Sequence, residues 1–270
     1  MVTVVLIAIN IAVFVWQATE SSDPGSSTSP QIAGVSQRDE TTLRYGAIPY
    51  RLTHPGRDCA VGQVAGGANA SGSLQVVCQG TEDYRAAQSL PGFAPLDSPP
   101  WWVTLFTSMF LHGGILHIAF NMLFLWIFGN NVEDSMGRPR FLLFYLLAGI
   151  VAAYTQALLT AGSTVPAIGA SGAIAGVLGG YLLLFPRARV LTVVLIILFF
   201  TIIEIPAAIL LAIWFFLQFL PALGQVTTSV GASEGIAYWA RVGGFAFGLA
   251  AIKLFASRYR NRELEPGGLA

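Results

Sequence analysis

Three groups of polar residues sit inside otherwise apolar stretches, where they are costly and mark places able to do chemistry. The first is H-G-G-I-L-H-I-A-F-N at residues 112–121. On a helix His117 and Asn121 are four apart and share a face, with His112 one and a half turns earlier. Two donors on one face, aimed inward, suit the stabilisation of a developing oxyanion. The same spacing also suits a helix–helix hydrogen-bond pair with no chemistry. Zinc fits less well: the histidines are five apart, not four as in H-E-x-x-H, and the stretch has no acidic residue.

The second group is G-A-S-G, with Ser171 between Gly169 and Gly172. Small neighbours permit close backbone approach and leave the serine amide free to meet a reacting oxygen. Serine in a small-residue helix is also ordinary packing, so the motif alone leaves nucleophile and packing residue both open. Gly172, Gly176 and Gly180 recur every fourth residue as a flat seam for another helix. The third group, W-A-R-V-G-G-F-A-F-G, carries a matching seam of Ala240, Gly244 and Gly248. Arg241 lies three residues before Gly244 and shares its face. The two seams predict that their helices pack together, with the guanidinium pointing at the serine.

Long apolar segments must position these groups. Of 270 residues, 54% are hydrophobic and 10% charged, against about 25% charged in an ordinary soluble domain. Lipid is the solvent that such a surface suits. A net charge of zero gives no field for nucleic acid. Apolar runs fall at 2–18, 105–128, 141–159, 166–185, 190–219 and 237–256. The first lacks the basic start and A-x-A site of a cleaved signal peptide. The fifth is too long for one upright helix and is interrupted by Glu204 and Pro206. We expect 190–201 to be an interfacial or broken piece and 205–219 the crossing proper.

Arg138 and Arg140, then Arg187 and Arg189, then Arg258, Arg260 and Arg262 follow every second run. Basic connections face the cytoplasm, so six crossings with both termini inside satisfy the pattern. Residues 20–100 then form a long extracytoplasmic loop holding both cysteines, Cys59 and Cys78. In an oxidising compartment they suit a disulfide, with two buried thiols as the alternative. The short apolar stretch 74–77 predicts some folded structure there. The chain therefore reads as an all-α polytopic membrane protein: a first transmembrane helix at 1–19, the loop insertion at 20–100, a core at 101–256 and a cytoplasmic tail at 257–270.

The three groups in this order resemble the rhomboid family of intramembrane serine proteases. The shared marks are W-W-V-T-L-F-T-S-M-F-L-H-G-G-I-L-H-I-A-F-N, F-G-N-N-V-E-D, G-A-S-G-A-I-A-G and W-A-R-V-G-G-F. The resemblance implies a six-helix rhomboid fold in the plasma (inner) membrane. It implies Ser171 as nucleophile, with His117, Asn121 and the Ser171 backbone as the oxyanion hole. His112, Gly169, Gly172, Gly244 and Gly248 would support them. Substrates would be transmembrane segments of other proteins, entering from the lipid bilayer and cut near their outer ends. No metal or organic cofactor is implied, and the oligomeric state stays open.

One position departs from that pattern. Arg241 stands where the family has its general-base histidine. Arginine stays protonated and has no free acceptor, so it cannot take the serine proton. His117, Glu234 and Glu204 are the available substitutes, and His117 would lose its donor role. Three functions follow as expectations: a serine endopeptidase crippled by Arg241, a pseudoprotease that binds transmembrane segments without cutting them, and a small transporter using Arg241 and Glu204. A pure binder has no need of the intact serine motif. A transporter would be expected to show inverted repeats or paired broken helices, which the sequence lacks.

Overall fold

The computed structural model describes residues 1–23, 26–28, 35–63, 74–196, 199–227 and 237–256, with the backbone alone at 193–196, 199–200 and 225–227. Glu234 and the arginines from 258 onward lie outside these residues. In lipid an apolar segment must satisfy its own backbone. The first run has no glycine, proline or charge and forms α1, Val2–Thr19.

The polar segment that follows is a small module of its own. Helix α2 (Gln37–Tyr45) starts at Ser36, whose hydroxyl accepts from the Asp39 amide at 3.1 Å. Helix α3 is Pro49–Thr53. Strands β1 (Cys59–Gln63) and β2 (Leu74–Cys78), helix α4 (Glu82–Ala87) and β3 (Ala94–Pro95) complete it. The sheet is antiparallel in the order β2-β1-β3. Cys59 stands opposite Cys78 in the register, and a disulfide joins them. Both sulfurs lie in a core with Ile48, Val61, Ala94 and Leu96.

The bridge closes a separation of 19 residues, which limits the unfolded module by about 3 kcal/mol of loop entropy. Replacing both cysteines by serine is therefore expected to open this module first. Limited proteolysis would then cut within 35–99 while the membrane helices stay intact. Loss of the whole fold at once would count against an independent module.

A short α5 (Trp101–Thr107) leads to α6 (Ile115–Met136), α7 (Arg138–Leu159) and α8 (Ser171–Leu184). Strands β4 (Arg189–Ile196) and β5 (Phe199–Pro206) pair antiparallel, then α9 (Ala207–Thr227) and α10 (Tyr238–Phe255) follow. By length and composition α1, α6, α7 and the 207–224 part of α9 can cross a membrane. The helical membrane fold is as expected. It is not wholly helical, because two small sheets flank the bundle.

The second sheet replaces the interfacial or broken piece expected at 190–201. Its residues are mostly β-branched or aromatic, which favours strands, and an antiparallel partner satisfies the backbone that Pro206 would interrupt in a helix. Arg189 and Glu204 close its base as an exposed ion pair at 3.0 Å.

Helix α8 is buried along nearly its whole length, packed by α6, α7 and α10 around Phe144, Tyr145, Leu178 and Ile252. The glycine seams meet as backbone on backbone: a methyl at Gly244 would strike the Gly172 carbonyl, and one at Gly248 the Gly176 carbonyl.

The start of α1 is held by an acid from another helix. Glu133, almost fully buried on α6, accepts from the Val2 amide (2.8 Å), the Thr3 amide (2.8 Å) and the Thr3 hydroxyl (2.7 Å). Those amides belong to the first turn, which has no acceptor within its own helix. Glu133→Ala strands three donors, so we expect a loss of about 2–3 kcal/mol, read as a lower unfolding midpoint in detergent. An unchanged midpoint would mean that water replaces the carboxylate freely.

Candidate active site

The local conformation around the serine is set by glycine. Gly169 adopts φ +115°, where side chains are strained. A methyl there would also lie 2.8 Å from Cε1 and Nε2 of His117. The loop can therefore close directly onto the imidazole, and Ser171 becomes the first residue of α8. Amides in that first turn lack intrahelical acceptors and carry the positive end of the helix dipole.

The 14 residues of α8 rise about 21 Å, some 9 Å less than the hydrocarbon thickness.

The disulfide-bonded module grips the loop ahead of this serine. Ala47 and Ala167 exchange both backbone hydrogen bonds, at 3.0 and 2.9 Å, and the Tyr50 amide donates to the Ser163 carbonyl at 3.0 Å. Within the core, the Gly169 amide donates to the Ser108 carbonyl at 2.8 Å. On the far side, the Gln156 side chain of α7 accepts from the Ala240 amide at 3.2 Å and fixes the start of α10.

These elements enclose a cavity of about 780 Å³ lined by His117 and Asn121 of α6, Ser171 of α8 and Arg241 of α10. Leu116, Phe120, Phe124, Ile174, Leu178 and Trp214 make its apolar wall. Nε2 of His117 and Nδ2 of Asn121 are buried and have no hydrogen-bond partner among the described residues. In the tautomer that carries its proton on Nε2, His117 joins the Asn121 amide as a second donor in the cavity that Ser171 lines, an arrangement suited to an oxygen that gains negative charge.

Two details differ from the sequence reading. His112 is not on the helix of His117 and Asn121. It lies in the loop ahead of α6, fully buried, with its amide donating to the Gln17 side chain at 3.0 Å and its ring edge-on to His117 at 5.1 Å. Helix α5 has already ended at Thr107 and Gly114 is the N-cap of α6, so helical spacing does not run back through 112. Arg241 also does not give its hydrogen bond to the serine. Its Nη1 donates to Oε1 of Gln218 on α9 at 2.6 Å, with the guanidinium 5.6 Å from the Tyr238 ring centroid.

Of the substitute bases, Glu204 is engaged with Arg189 beyond the far end of α8, roughly 20 Å from the serine by the rise of that helix. Glu234 lies outside the described residues. Among those described, no group of three or more His, Cys, Asp and Glu stands together as a metal site.

Thr42, Trp214 and Gln218 line the cavity, and the sequence reading missed all three. Gln218 had a visible signal: it is the one amide in the apolar stretch 207–223, the same cue that singled out His117. Thr42 had none, because it comes from the polar module.

Comparison with known proteins bears on this geometry. The rhomboid domain family matches residues 99–258, which include every residue of the cavity named above except Thr42. The chain is similar to rhomboid protease GluP of Bacillus subtilis, with 49% identity over 82 residues, 30% of this chain and 15% of the relative. It is 33% identical over 93 residues to rhomboid protein 1, mitochondrial, of Saccharomyces cerevisiae, covering 33% of this chain and 27% of the relative. Presenilin-associated rhomboid-like protein A, mitochondrial, of Danio rerio is 31% identical over 96 residues, 35% and 25% of the two chains. The chain thus spans between 15 and 27% of the length of these relatives. With the family match covering more than half of its residues, and a half-buried serine at a glycine-flanked helix start, this chain belongs to the rhomboid family.

Proposed function

We propose that the cavity receives transmembrane segments of other membrane proteins beside α6 and α9 and that peptide hydrolysis through Ser171 is strongly impaired. The observation that carries this is the single cavity shared by Ser171, His117, Asn121 and Arg241. Its apolar wall suits a segment arriving from lipid, and its polar end suits a peptide carbonyl.

In a cut, Ser171 Oγ would attack that carbonyl carbon. Oxygen charge would then develop toward His117 Nε2, Asn121 Nδ2 and the Ser171 amide. The missing step is removal of the hydroxyl proton. Arg241 carries donors only and is tied to Gln218, so nothing at its position accepts a proton. We place the protein in the plasma (inner) membrane with both termini cytoplasmic, on the pattern of basic connections.

A fluorophosphonate probe is expected to label the unaltered chain weakly. Strong labelling that Ser171→Ala abolishes would overturn the impairment.

The second reading is a pseudoprotease that holds client segments without cutting them. It draws on the Arg241–Gln218 bond, which joins α10 to α9 across the cavity. Co-purification of uncleaved single-pass proteins would support it, and their cleavage during purification would not.

A further inference from the structure

The polar end of the cavity is unbalanced in charge. It contains the Asn121 amide nitrogen, on a residue 7% exposed, and the His117 ring nitrogen, both buried without partners among the described residues. It also has the first turn of a 14-residue helix and one guanidinium. No aspartate or glutamate lines the cavity among the described residues, and Arg241 has no carboxylate within ion-pair distance there. Among the described residues the guanidinium gives one hydrogen bond, to Gln218, out of about five that the group can give. A half-buried cation without a counter-ion and unmatched buried donors are both unfavourable, and a single anion would relieve both.

With a neutral base in place of Arg241, these donors would meet a negative oxygen only during reaction. A permanent cation changes this, because the full charge is present at rest. We propose that the cavity is a resting-state oxyanion site that binds a phosphate group, held by Arg241 together with Asn121, His117 and the first turn of α8. The apolar wall of Phe120, Phe124 and Trp214 adds affinity when that phosphate carries an alkyl chain, as in a single-chain anionic lipid. This deepens the client-binding reading because it assigns a competing ligand to the same cavity, and rests on that reading for access from lipid.

The test uses the full chain in an uncharged detergent, with binding read by calorimetry at ionic strength held constant by sodium chloride. The probes are inorganic phosphate and dodecyl phosphate. Saturable binding is expected, weakened by about tenfold or more in Arg241→Gln and in Asn121→Ala, as for loss of a charge-assisted hydrogen bond. Arg241→Lys is expected to keep most of the affinity. Arg85→Gln, on the exposed α4 of the disulfide-bonded module, is expected to change nothing.

Tighter binding of dodecyl phosphate than of phosphate identifies a lipid headgroup as the source, and equal binding identifies the free ion. Absence of saturable binding, or equal binding in Arg241→Gln and Asn121→Ala, overturns the proposal. Asn121 lies on a different helix from Arg241, so the test survives if Arg241→Gln fails to fold. Capture of an uncharged single-pass client is measured in parallel without phosphate, so either idea can fail while the other stands.

Discussion

Arg241→His is expected to raise cleavage of a single-pass test substrate by about 10³-fold or more, with about 10⁶-fold as the ceiling set by loss of the base in a soluble serine protease. The reasoning starts from a proton. Serine is a weak nucleophile until a neighbour takes its hydrogen, and a guanidinium has no lone pair to offer. Imidazole has one, and position 241 already lines the cavity that holds Ser171. The other parts need no change: among the described residues the His117 and Asn121 nitrogens stand unmatched beside the serine loop.

The exchange also frees Gln218 from its 2.6 Å bond. Some loosening of α9 against α10 should therefore accompany the gain. A gel assay of substrate with both chains, plus Ser171→Ala on the histidine background, separates the effects. Equal, slow cleavage by both chains would show that position 241 does not serve the serine. Fast cleavage by the unaltered chain would show that some other group is the base.

The second large effect concerns packing. Gly244→Ala is expected to destabilise the chain by about 2–3 kcal/mol, although alanine is the better helix former by about 1 kcal/mol. The clash decides the sign. A methyl at 244 meets the carbonyl of Gly172, which is backbone and cannot rotate away. The helices must separate instead, and α8 then loses contact along its seam with α10. Because Gly172 follows Ser171 directly, activity in the Arg241→His background should fall more than stability alone explains.

Gly224→Ala is the internal control. It sits on α9, where a methyl would meet nothing within 4 Å among the described residues, so the same exchange should be neutral or gain up to about 1 kcal/mol. Thermal unfolding in detergent, followed by tryptophan fluorescence, reads both. Equal shifts for the two glycines would remove the argument from close helix approach.

The sequence by itself determined the membrane-helical class, because lipid leaves an apolar segment few ways to satisfy its backbone. It also showed which residues were out of place there: Ser171, His117, Asn121 and Arg241 are legible as polar groups among apolar ones. The four-residue seams of Gly172 and Gly244 were legible too, since helical period is written along the chain.

The rest depended on contacts between distant segments, which leave no period to read. Glu133 capping α1 joins residues about 130 apart, and nothing near Glu133 reveals that partner. The Ala47–Ala167 pairing that sets the disulfide-bonded module on the serine loop is backbone to backbone, so residue type carries no trace of it. The 190–206 segment is apolar enough for either a helix or two strands, and only pairing with itself decided for strands. Arg241 could face Ser171 or Gln218 from the same helix face, and the placement of α9 settled its hydrogen bond on Gln218.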